Sequence, residues 1–116
     1  EHVHYRHRVK FTLRHYEGGR VGFVIFDPGS SEWLHVEHFP LASRRINQMM
    51  IDLRDALARS RRLRSGAFQV ELLSGTSGAA LACVMYHRRL RQQDDGTAMQ
   101  WLAGWLRASV VLRARG

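Results

Sequence analysis

Residues 67–87, AFQVELLSGTSGAALACVMYH, read as two strands and the turn that joins them. AFQVELLS (67–74) and ALACVMYH (80–87) are short apolar runs, and GTSG (75–78) sets four turn formers between them, so the segment folds back on itself as a hairpin. A hairpin needs further strands or a helix against it before it is stable, and the rest of the chain has to supply them. At the mouth of the first strand stands Phe68, directly after the arginines Arg59, Arg61, Arg62 and Arg64. Periodicity alone leaves that ring open to two readings: core filler, or an aromatic held beside positive charge for something to stack on.

Working outward, residues 3–15 alternate, with Val3, Tyr5, Val9, Phe11 and Leu13 on one face and His4, Arg6, Arg8, Lys10, Thr12 and Arg14 on the other. This period of two predicts a half-buried strand whose open face is a row of cations. EGGR (17–20) is a turn, and VGFVIF (21–26), apolar on both faces, suits a central strand covered from two sides. DPGSSE (27–32) turns the chain again into WLHV (33–36). From Pro40 the period changes. Ala42, Ile46, Met49, Met50, Leu53, Ala56 and Leu57 fall at helical spacing and predict an amphipathic helix over about 40–60. After the polar RRLRQQDDG (88–96), Ala98, Trp101, Leu102 and Trp105 make a second helical stripe, and SVVLRA (109–114) a last strand. The expected fold is α+β: a mainly antiparallel sheet of five to six strands in the order βββαββαβ, with two helices packed on one face.

The chain is one domain by length, 116 residues, and carries 18 basic against 10 acidic side chains, a net charge of +8. All but one of the cations are arginines, whose planar fork binds phosphate through two hydrogen bonds and stacks on bases, so nucleic acid is the partner that charge selects. The single Cys83 excludes an internal disulfide and a CxxC metal framework. No apolar run approaches a membrane span, and the start EHVHYRHRVK lacks the apolar core of a signal peptide, so the expected setting is intracellular, cytoplasmic or an organellar matrix. The sequence offers no acid/base pair, no phosphate-binding glycine loop and no catalytic residue. His2 with His4 and His35 with His38 have spacings that could hold a metal, but without a second ligand pair no metal site is assigned.

HYRHRVKF (4–11), IFDPGSSEWLHVEHFPLAS with the following IN (25–47), LRSGAFQVELLSGTSGAAL (63–81) and VMYHRRL (84–90) together resemble the RNA-binding central domain of bacterial tRNA (uracil-5-)-methyltransferases, which methylate the T-loop uridine of tRNA. The likeness runs in order from about residue 4 to 90 and fades beyond. It implies a domain that grips the T arm of tRNA, with Phe68 taking the place in the loop left by the flipped-out uridine and His87 lying against the RNA near the target base. Base flipping leaves a gap in a stack, which an aromatic ring can fill. The RNA-binding set expected from charge and resemblance is Phe68, Gln69 and His87 with Arg6, Arg8 and Lys10 on the first strand, Arg62 and Arg64 at the helix end, and Arg88 and Arg89 after the hairpin. The family's chemistry belongs to a following domain with S-adenosylmethionine, a nucleophilic cysteine and a general base. None of these is in the 116 residues, so the chain reads as a piece or remnant of such an enzyme with no cofactor of its own. The alternative is a non-catalytic remnant acting as a structural RNA-binding protein in a ribonucleoprotein such as a ribosome or its assembly intermediate.

Overall fold

The computed structural model describes residues 4–115. Val3 of the alternating face and His2 of the first histidine pair lie outside the described residues. Six strands form one sheet: β1 (Tyr5–His15), β2 (Val21–Asp27), β3 (Glu32–His35), β4 (Ala67–Gly75), β5 (Ala80–Tyr86) and β6 (Ser109–Ala114), in the spatial order β3-β2-β1-β4-β5-β6. Every pairing is antiparallel except β5 with β6, which run parallel because a helix, not a turn, returns the chain between them. The helices are α1 (Arg44–Arg59), the single turn α2 (Arg61–Arg64) and α3 (Gln92–Leu106). The fold is therefore the expected α+β arrangement, with the short α2 added.

One face of the sheet carries the core. Val9, Phe11 and Leu13 of β1, Val70 and Leu72 of β4, and Ala82, Val84 and Tyr86 of β5 meet Ile46, Met49, Met50, Leu53 and Leu57 of α1 and Leu102 and Leu106 of α3. Each fully buried Leu, Ile or Met in this layer contributes about 1.5–3 kcal/mol by leaving water. The hydroxyl of Tyr86 enters the core only because it donates to the carbonyl of Leu63 at 2.7 Å, and burial pushes its ionisation well above the usual phenol range.

Three local expectations are corrected. VGFVIF is an interior strand, second from the sheet edge, but it is covered from two sides only over residues 21–24: Val21 and Phe23 lie in the core and Val24 is buried on the opposite face beside Thr12 and His35, whereas Phe26 is 48% exposed. The first helix starts at Arg44, not Pro40, because Ser43 caps it by accepting from the Ile46 amide at 3.1 Å, and Leu41 is left 89% exposed. It stops at Ser60, which then caps α2 by accepting from Leu63. α3 begins at Gln92, so the polar QQDDG is helical, and Trp101 and Trp105 are exposed flank residues, not core; Trp105 donates its indole N–H to the carbonyl of Asp52 at 3.0 Å.

Ser43 also meets the buried Ser74 hydroxyl at 2.8 Å, which pins the start of α1 to β4. Ser43→Ala is expected to lower stability by about 1–2 kcal/mol through loss of the cap and of Ser74's partner. Urea unfolding measures this, and an unchanged midpoint would show that neither contact stabilises the fold.

Candidate nucleic-acid interface

The side chain of Phe68 is aimed by a β-bulge. Val70 faces Val84 and Leu72 faces Ala82 in regular register, but Ala67 faces Tyr86 while Gln69 faces Met85, so β4 spends two residues where β5 spends one. Strict alternation would send Phe68 inward with Val70 and Leu72. The extra residue instead gives the inward place to Ala67, 2% exposed, and leaves the Phe68 ring half-buried at the end of the sheet. His87, the first residue past β5, lies flat on it, with centroids 3.7 Å apart and planes 13° from parallel, and the Arg115 guanidinium sits 5.9 Å from the Phe68 centroid. The ring thus already takes a flat heteroaromatic partner at stacking distance.

Neighbouring groups hold the bulge in place. His15 of β1 donates through Nε2 to the Ala67 carbonyl at 2.7 Å, and the His87 amide donates to the Gly66 carbonyl at 2.8 Å. Gly66 has φ +76°, and a Cβ there would press on the Arg88 side chain at 3.0 Å. Gly66 thus serves backbone geometry, and Ala67 serves the core.

Phe68 and His87 form one wall of a cleft of about 510 Å³. His15 at the end of β1, Tyr16 just past it, Arg20 from the turn that follows, Arg61 and Arg64 from α2, and Ser65 make the rest of its polar and aromatic lining. Tyr16 has a histidine partner of its own: its hydroxyl lies 2.7 Å from His35 Nε2 and the rings stack at 5.8 Å.

The arginines expected to bind RNA divide by what they already hold. Arg88 donates to both oxygens of Asp95 at 2.9 and 3.1 Å and to the carbonyls of Arg62, Ser65 and Arg89, with its guanidinium 4.7 Å over the Tyr86 ring. Arg62 reaches the same carboxylate at 3.5 Å. Hydrogen bonds from Arg88 first of all hold the Asp95 carboxyl down to about 2, and the bond to Asp95 raises Arg88 in return. Arg64 turns back to the carbonyls of Leu57 and Ala58 and lies against Gly19. Arg89 is exposed. Arg8 pairs with Glu71, and Lys10 faces Glu71 across the strands. Because Thr12 is the β1 residue level with Gln69, Lys10 and Arg8 lie about 7 and 14 Å further along the sheet, at roughly 3.4 Å per residue. Arg6 is exposed beside the bulge between Tyr5 and His7, beyond them. Of the expected set, the structure therefore brings Phe68, His87 and Arg64 around one cleft, leaves Gln69 beside it on β4, gathers Arg62, Arg88 and Arg89 around a neighbouring hollow, and sets Arg6, Arg8 and Lys10 further along β1.

Tyr16, Arg20, Arg61 and Asp95 were absent from the expected set. The acidic pair in QQDDG was the available signal for Asp95, since carboxylates favour the first turn of a helix. Cys83 lies half-exposed in β5, and burial pushes its thiol up, away from the reactive thiolate. Among the described residues no three His, Cys, Asp or Glu side chains gather to hold a metal ion, and no helix is long and apolar enough to cross a membrane.

A family model described as tRNA (uracil-5-)-methyltransferase matches residues 1–116. The chain belongs to this family. Among curated members, the tRNA/tmRNA (uracil-C(5))-methyltransferase of Chromohalobacter salexigens is 40% identical over 97% of the chain and 31% of its own length. That of Pseudomonas entomophila is 38% identical over 97% of the chain and 31% of the relative, and that of Vibrio atlanticus 42% over 84% and 27%. The chain thus spans less than a third of the length of these tRNA (uracil-5-)-methyltransferases.

Proposed function

We propose that these residues are the tRNA-gripping part of a tRNA (uracil-5-)-methyltransferase, and that Phe68 with His87 fills the gap in the T loop from which the target uridine is turned out. The observation that carries this reading is the bulge: it takes a phenylalanine out of the core at some loss of burial, and lays it against an imidazole in a cleft rimmed by arginines. Such a ring can replace an expelled base and recover part of the few kcal/mol that unstacking costs. Gln69, next along β4 and partly exposed, adds an amide that can hydrogen-bond a base edge. Arg6, Arg8, Lys10 and Arg89 supply charge along the backbone of the arm, whereas Arg62, Arg64 and Arg88 shape the surface that presents it. Methyl transfer falls outside these 116 residues, in a region where S-adenosylmethionine would bind, and the whole works on tRNA in the cytoplasm or an organellar matrix.

Titration with a T-arm hairpin RNA at increasing salt tests this. With about four to six phosphates neutralised, log K falls against log salt with a slope of roughly −3 to −5, each contact in loop regions contributing about 0.7. A flat salt dependence would refute the reading.

A further inference from the structure

On the far side of Arg61 and Ser65 from the aromatic cleft is a second cavity, about 410 Å³, walled by Arg61, Arg62, Ser65, Arg88, Arg89 and Arg91. Five guanidiniums around one hollow repel one another unless something offsets them, and the structure shows what does. Asp95, its side chain only 4% exposed, takes both prongs of Arg88 and one of Arg62, and Asp94 stands 3.8 Å from Arg62 Nη2. Those two arginines are thereby fixed as wall. The side chains of Arg61, Arg89 and Arg91 make no hydrogen bond or ion pair among the described residues, and Arg61 and Arg89 come from different elements, α2 and the segment after β5. A concave surface with three uncommitted guanidiniums and a serine hydroxyl suits an anion with several acceptor oxygens, the geometry that a planar guanidinium binds through paired hydrogen bonds.

The two cavities share Arg61 and Ser65 as a common wall. A group bound in one is therefore next to a group bound in the other, on a surface where one side offers stacked rings and the other offers only cations. This is the division of a nucleotide into base and phosphate. We propose that the arginine-walled cavity is a phosphate-ester subsite, which takes the backbone phosphodiester flanking the nucleotide held at Phe68 and His87; its assignment to RNA rests on the function proposed above. Asp95 is a positioning residue here. Its pairing with Arg62 and Arg88 fixes these two arginines as cavity wall.

The test follows the arginine Nε–Hε signals by NMR while inorganic phosphate is added to the protein. The expected result is saturable movement of Arg61, Arg89 and Arg91 with one shared dissociation constant, while Arg6 and Arg44, beside the opposite end of β4 from Ala67, stay in place. Uniform drift of all arginines without saturation would overturn the site. The T-arm hairpin RNA should displace the phosphate, and the triple variant R61Q/R89Q/R91Q should flatten the salt slope of hairpin binding by about 2, from roughly 0.7 per lost contact. Should the triple variant fold poorly, the single exposed change Arg89→Gln carries the same test with a change of about 0.7. Saturable phosphate binding with an unaltered hairpin slope would overturn the assignment to the RNA backbone. Saturation in a protein that binds no hairpin at any salt would refute the preceding function and leave the anion site standing, with a free phosphate ester as its ligand.

Discussion

Replacing Asp95 with alanine is expected to lower the unfolding free energy by about 1.5–3 kcal/mol, because a buried carboxylate that holds charge-assisted hydrogen bonds from a half-buried arginine is lost. The carboxylate accepts from Arg88 through both oxygens, from Arg62 at 3.5 Å and from the Arg91 amide at the start of α3. Without it, Arg88, 23% exposed and lying over Tyr86, loses its counter-charge but cannot swing freely into water, because Ser65 and Arg62 still hold it by their carbonyls. The first turn of α3 loses its side-chain acceptor at the same time. Asp95→Asn keeps an acceptor oxygen without the charge and should fall between wild type and alanine.

The pH dependence has a definite sign. The Asp95 carboxyl sits at about 2 in the folded protein against an ordinary value of 3.8, so the folded state favours the ionised form. Its contribution, about 2 kcal/mol at 1.36 kcal/mol per pH unit, is fully present above the unfolded value and is lost as pH falls from about 4 towards 2. Urea unfolding at pH 7 and pH 2.5 should show wild type losing more than Asp95→Asn over that interval. Equal acid losses in the two proteins would show that other carboxylates carry the effect.

Much of the fold is legible in the chain because period-two and period-3.6 patterns report directly on which face is buried. SVVLRA coincides with β6, and the VKFTL alternation places Val9, Phe11 and Leu13 in the core. Where the reading slipped, the deciding contact was local and polar. Ser43 and Ser60 set the helix ends by hydrogen bonds that an apolar count ignores, and Leu41 merely precedes the cap. Trp101 and Trp105 have the spacing of a core stripe, but α3 meets the rest of the protein along Leu102 and Leu106, which leaves the tryptophans on its flank. The candidate site was half legible. Arginine runs give the sign of a surface but not which charges are spent inside the protein, as Arg62, Arg64 and Arg88 are. The orientation of Phe68 could not be read from AFQV at all, since a bulge is a property of two strands in register and alternation within one strand points the ring the wrong way.

That orientation makes the Phe68→Ala variant decisive. The ring is half-buried, so its loss costs the stack on His87, about 0.5–1.5 kcal/mol, together with part of the ring's burial, and stays below the 3–5 kcal/mol of a core phenylalanine. In RNA binding the same ring supplies one base–aromatic stack, whose removal costs about 1–3 kcal/mol, a roughly five- to 150-fold weaker dissociation constant. His87→Ala should follow it, with weaker hairpin binding and a nearly wild-type fold. The direct measurement is titration of wild type and Phe68→Ala with the T-arm hairpin RNA at fixed salt, beside urea unfolding of the same two free proteins. The expected result is a binding loss within that range and an unfolding midpoint only slightly lowered. A variant that unfolds several kcal/mol more readily, yet binds the hairpin like wild type wherever it remains folded, would contradict the account and return this ring to the core.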